Sequence, residues 1–139
     1  MRNPDGDLLV DTSVAVAFLV ADHEHHAAVV GLLKGQRLGL AGHAAFETYS
    51  VLTRMPTPVR RSAAVVSRLL AHNFPATRFL GVDATRRVFD SLAERRISGG
   101  SVYDALVAAV AHEHGLTLAT RDRRALDTYR SIGVSLRVI

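Results

Sequence analysis

Short apolar runs of strand length alternate with longer stretches of helical periodicity along nearly the whole chain, and that alternation leaves few folds open. Strand-like runs fall at 8–10, 38–41, 78–82, 116–119 and 135–138. Helical patterns fill the intervals at 14–20, 23–33, 44–54, 61–72, 83–96, 101–114 and 123–130. Connections of that length suit parallel crossovers, so the expected fold is a three-layer α/β/α sandwich around a mostly parallel, Rossmann-like sheet. Local signals agree. Thr12 or Ser13 is placed to cap the first helix and Asp83 a later one, while Gly35 and Gly115 follow helices that they can end. A chain of 139 residues, 48% of them apolar, is long enough for one domain, 1–139, with a real core. The break around Pro56 and Pro58 needs only a loop, and there is no internal repeat or linker.

With no cysteine, neither disulfides nor thiolate metal sites can hold the fold. The stretch 1–7 is polar and acidic, without the basic region of a secretion signal. The apolar stretch 8–21 is too short to span a bilayer comfortably and contains Asp11. A cytoplasmic protein without a membrane segment is therefore expected. Its net charge of +4 is carried by arginine, Lys34 being the sole lysine. Arginine forks bind phosphate oxygens in pairs, so a polyanionic partner is chemically reasonable, although a solvated basic surface explains the charge equally well.

The acidic residues are more informative. In a parallel sheet, ligands sit beyond the carboxyl ends of the strands. Asp11 and Asp122 each follow a strand directly, so both point toward one crevice. Asp104 lies in the first turn of a helix that is otherwise apolar nearly all round, and Glu47 follows the apolar Ala44, Ala45 and Phe46. Carboxylates beside buried positions need partners. Four acids converging would repel one another unless cations joined them, and an all-oxygen donor set favours Mg²⁺ or Mn²⁺. Such a centre could activate water against a phosphodiester. Plainer roles fit each acid singly. Ser101-x-x-Asp104 matches a capping box, Thr120 or Asp122 could cap the last helix, and Asp11 could be a turn residue.

Taken in order, Leu8-Leu9-Val10-Asp11-Thr12-Ser13, Phe46-Glu47-Thr48-Tyr49-Ser50-Val51-Leu52, Tyr103-Asp104-Ala105-Leu106-Val107-Ala108-Ala109 and Ala119-Thr120-Arg121-Asp122 resemble the signatures of PIN-domain nucleases. More narrowly they resemble the VapC toxins of type II toxin–antitoxin pairs. The resemblance runs over essentially the whole chain. It implies Mg²⁺- or Mn²⁺-dependent RNA cleavage, with Asp11, Glu47, Asp104 and Asp122 as the catalytic acids. Asp11, Asp104 and Asp122 would be metal ligands, and Glu47 would orient water or hold a second ion. Thr12, Ser13 and Thr120 would support them. It also implies a homodimer and a VapB-type antitoxin.

Arg121 and Arg123 flank Asp122 and are the candidate phosphate contacts. The run Asp22-His23-Glu24-His25-His26 invites a zinc site, but no second ligand pair is evident, and surface histidines are the simpler reading. Two other function classes compete. A haloacid-dehalogenase-type phosphatase needs an acid at position 13, where Ser13 stands, and a phospho-receiver needs a late lysine, whereas Lys34 is early. A non-catalytic binding module has no use for clustered, self-repelling carboxylates.

Overall fold

The computed structural model describes residues 6–58 and 60–139. Residues 1–5, most of the polar stretch that argued against a secretion signal, lie outside the described residues. The chain opens with β1 (Asp7–Val10), α1 (Thr12–Leu19), α2 (His26–Leu33) and β2 (Arg37–Leu40). Three helices follow, α3 (His43–Thr53), α4 (Ala63–Asn73) and α5 (Val82–Ser91). Then come α6 (Ser101–Glu113), β3 (Leu118–Thr120), a 3₁₀ turn (Arg123–Ala125), α7 (Leu126–Ile132) and β4 (Leu136–Val138). The strands lie in the order β2-β1-β3-β4, and every pairing is parallel.

Alternation along β1 sorts its side chains onto two faces, which is why the protein has a core on each side of the sheet. Leu8 and Val10 pack with Val14, Ala17, Val29, Leu33 and Phe74, under α1, α2 and α4. Leu9 packs with Val107, Ala108, Val110, Ala111 and Tyr129, under α6 and α7. The apolar run of α6 is buried from Val107 to Ala111, as its composition demands. Among the described residues no helix is long and apolar enough to cross a membrane.

The strand expected at 78–82 does not form. Ala76 and Arg78 donate to the carbonyls of Leu38 and Leu40, and one bridge joins Ala41 to Arg78, after which Gly81 starts α5. The segment covers the outer edge of β2 without extending the sheet. Gly39 makes this approach possible, because a Cβ there would lie 2.3 Å from the Ala76 backbone.

Several helix ends also differ from expectation. Asp11, not Thr12 or Ser13, caps α1, its side chain accepting from the Val14 amide. Residues 23–25 form turns before α2, where the His25 amide donates to Nδ1 of His23. Asp83 sits in the first turn of α5, behind Gly81 at the cap, and that helix ends at Ser91 rather than near 96. Gly35 and Gly115 adopt positive φ and terminate their helices as anticipated.

Candidate active site

Parallel order with β1 and β3 adjacent, and with the chain running outward to β2 on one side and β4 on the other, creates a switch point between the two central strands. The residues leaving the carboxyl ends of those strands are Asp11 and Thr120-Arg121-Asp122. The topology therefore gathers at this end of the sheet the acids that the sequence concentrates there. The first turn of α6 brings Asp104 to it, and α3 brings Glu47.

Asp11 is 3% exposed. Its Oδ1 accepts from Ser13 Oγ at 2.5 Å and from the Val14 amide at 3.2 Å. Its Oδ2 accepts from Thr120 Oγ1 at 2.5 Å and from the Tyr129 hydroxyl at 2.8 Å. These donors match the lone-pair capacity of a carboxylate. Ser13 Oγ in turn accepts from the Arg121 amide, and Thr120 Oγ1 from the Asp122 amide, so the loops leaving β1 and β3 are stitched together through Asp11. Thr12 contributes no such bond. Its Oγ1 is buried with no hydrogen-bond partner among the described residues.

Asp122 accepts from the Arg124 amide, capping the 3₁₀ turn, and its Oδ1 lies 3.4 Å from Arg124 Nε. Asp104 differs from both. The cap position of α6 is Gly100, with no side-chain capping bond, so the capping-box reading does not hold. Among the described residues the Asp104 carboxylate has no hydrogen-bond or ion-pair partner. Glu47 has one long contact, 3.8 Å from Oε1 to His43 Nε2. Arg123 is exposed and Arg121 half-buried.

The acids lie near enough to raise one another's pKa. The Asp104 carboxyl is raised above the ordinary carboxylate range by burial, then by the charges of Asp122, Glu47 and Asp11, with Arg124 opposing. Glu47 is raised by burial and by Asp11, against His43. Asp11 is raised because burial outweighs its hydrogen bonds. Tyr129, absent from the sequence reading, is pushed up by burial, by the Asp11 charge and by its bond to Asp11, which keeps its hydroxyl protonated as a donor. Nothing local in the sequence could have tied Tyr129 to a partner at the other end of the chain. Its signal is a lone aromatic in a short helix otherwise dominated by polar residues.

These shifts fix the sign of a pH effect. A carboxyl raised in the folded state binds more protons folded than unfolded, so its contribution is most favourable below its unfolded value and declines as pH rises through the folded one. In EDTA, the melting temperature should therefore lose ground as pH climbs from about 4. Asp104→Asn removes part of that loss and should melt higher than wild type at neutral pH, and its advantage should shrink as pH falls toward about 4. Thermal scans across pH check it, and identical pH slopes for the two proteins would contradict it.

The fold and site together define a class: a parallel α/β/α protein with neighbouring carboxylates at the sheet's switch point. The sequence matches the PIN domain over residues 8–131. Ribonuclease VapC27 of Mycobacterium tuberculosis is 50% identical over 131 residues, covering 94% of this chain and 96% of that relative. Ribonuclease VapC40 of the same species is 44% identical over 132 residues, covering 93% and 96%. The chain belongs to the PIN-domain family and, within it, to the VapC group.

Solved structures share the fold at low identity. VapC20 of Mycobacterium tuberculosis, a toxin that cleaves the sarcin–ricin loop, has a TM-score of 0.68 at 20% identity, covering 91% of this chain and 95% of that one. A DNA-bound VapBC from Salmonella typhimurium has a TM-score of 0.67 at 19% identity, covering 95% and 97%. FitAcB from Neisseria gonorrhoeae has a TM-score of 0.66 at 18% identity, covering 93% and 95%.

Proposed function

We infer that the protein is a divalent-metal-dependent endoribonuclease, the toxin of a type II toxin–antitoxin pair. The observation that carries this reading is Asp104. A partly buried carboxylate with no hydrogen-bond or ion-pair partner among the described residues, destabilised by three further acids and only partly offset by Arg124, is the arrangement a cation relieves. The donor set fits a hard ion, since every candidate ligand is a carboxylate oxygen. Among the described residues no three acidic or imidazole side chains are already grouped to hold one ion, so binding has to draw them inward. Asp11, Asp104 and Asp122 are the proposed ligands, with Mg²⁺ or Mn²⁺ as the ion. The hydroxyls of Ser13 and Thr120 can rotate to free a lone pair of Asp11.

When bound, the ion supplies charge neutralisation at the phosphate and a water of lowered pKa. The remaining work falls to the protein. Ser13, Thr120 and Tyr129 hold Asp11 in place, and Thr120 also fixes the start of the Asp122 loop. Glu47, half-exposed and raised in pKa, orients the attacking water. Water oxygen would then bond to phosphorus as the bond to the leaving ribose oxygen breaks, the water giving up a proton to solvent and the leaving oxygen taking one up from it. Arg121 and Arg123 are the proposed contacts to flanking phosphates.

The relatives' names and the toxin–antitoxin complexes among the structural neighbours support a VapB-type antitoxin as partner. A homodimer in the cytoplasm completes the reading. Exposed Phe46, Phe79, Val82 and Phe89 give the chain apolar surface to bury against such partners.

The test is direct. Purified protein should cleave single-stranded or structured RNA with Mg²⁺ or Mn²⁺ and stop on addition of EDTA. Cleavage undiminished by EDTA would sink the metal-dependent reading, and intact RNA under all cations would sink the nuclease reading.

A further inference from the structure

The first turns of α3 and α6, which lead into Glu47 and carry Asp104 respectively, present a pair of rings. His43 and Tyr103 stack with centroids 4.8 Å apart and planes 18° from parallel. His43 reaches toward Glu47, and Tyr103 directly precedes Asp104 in the chain. The stack therefore joins the start of α3, through the His43 contact to Glu47, to the turn of α6 that carries Asp104.

Neither ring belongs to the core. Tyr103 is 50% exposed and packs in neither of the two large apolar clusters that cover the sheet. Its hydroxyl makes no hydrogen bond among the described residues. The rest of α6 shows how readily this helix buries apolar side chains, with Ala105 and the run from Val107 to Ala111 enclosed. An aromatic side chain held half in water and braced on one face by an imidazole contributes little to folding. It presents a flat, partly apolar surface beside a centre suited to cation and phosphate.

We propose that the Tyr103–His43 stack is a shelf for one base of single-stranded RNA, the base next to the phosphodiester held at the acids. The proposal rests on the ribonuclease reading. Its chemistry is that of stacking platforms generally: every base has a π face, so the shelf accepts any base and sets the placement of the strand, not its sequence. With the acids fixing the phosphate through an ion and the ring fixing the adjacent base, the strand is held at two points across the scissile bond.

The experiment separates bases from backbone. A fluorescein-labelled oligoadenylate and an equal-length chain of abasic ribose phosphates carry the same charge and differ only in their bases. Anisotropy titrations of the full chain would use Ca²⁺ in place of Mg²⁺. Wild type should bind the oligoadenylate about fivefold more tightly, the weak end of what one stacked base contributes. Tyr103→Leu should abolish that ratio while leaving affinity for the abasic chain unchanged, which also certifies its fold. Tyr103→Phe should keep the ratio.

A ratio preserved in Tyr103→Leu, or absent in wild type, overturns the shelf. Total RNA incubated with wild type and Mg²⁺ in parallel tests the parent reading. No cleavage beside an intact ratio overturns the nuclease and spares the shelf. Cleavage with no ratio overturns the shelf alone.

Discussion

Asp11→Asn is expected to remove RNA cleavage almost entirely, by about 10³-fold or more, the scale on which loss of one charge-stabilising group acts in a preorganised site. The variant should stay folded. Asparagine keeps an oxygen to accept from Val14 at the helix cap, where it serves as well as aspartate. It loses the charge that burial disfavours, and it gives up acceptor capacity on the side where Thr120 and Tyr129 donate. A steady melting temperature with vanished cleavage is the signature of a residue retained for chemistry. Full activity in Asp11→Asn would remove Asp11 from the mechanism. Sequencing RNA ends after brief induction of wild type and variant in cells would extend the same comparison to the choice of target.

The largest structural effect should come from Gly39→Ala. The added methyl would sit 2.3 Å from the carbonyl carbon and oxygen of Ala76, both backbone atoms that no rotamer change can move. Overpacking of this kind costs about 3 kcal/mol, which lowers the melting temperature by roughly 10 °C. The damage should reach the site. The displaced segment also supplies the Arg78 carbonyl that accepts from the Gly42 amide at 2.8 Å, just before α3 begins with His43. Gly42 itself tolerates no side chain, since a Cβ there would meet Val110 Cγ2 at 2.5 Å. Gly31→Ala is the matched control. It lies in α2 with nothing within 4 Å, and should be neutral or stabilising by about 0.5–1 kcal/mol. Calorimetry of the two variants side by side decides the matter. Equal stability would mean that the close approach at Gly39 yields easily.

The layered parallel fold was legible because period and length survive in a single sequence. Apolar runs of strand length separated by helical patterns admit little else. What failed were readings that depend on neighbours. The stretch 78–82 has strand-like composition, but β2 offers it only an edge, and Gly81 turns the chain into α5. Residues 23–25 carry a helical spacing, but local side-chain and backbone bonds hold them in turns.

The acids were legible in unequal measure. Strand-end position located Asp11 and Asp122, and both proved to cap helical segments as well, so the plain and the chemical readings coexist in them. Asp104 separates the two readings, because it caps nothing. Tyr129 escaped because its relation to Asp11 spans 118 positions and leaves no local trace. Arg124, rather than its neighbours, pairs with Asp122, a distinction that only the turn geometry makes.

The hydrogen bonds around Asp11 have a consequence for how the protein is born. Asp11 leaves the ribosome 109 residues before Thr120 and 118 before Tyr129, and β1 cannot complete its central pairing until residues 118–119 are made. Throughout translation the nascent chain carries an acid whose final setting is missing. Assembly of the centre is thereby deferred until β3 and α7 have been made, and a product truncated before β3 lacks the Thr120 and Tyr129 donors that hold Asp11.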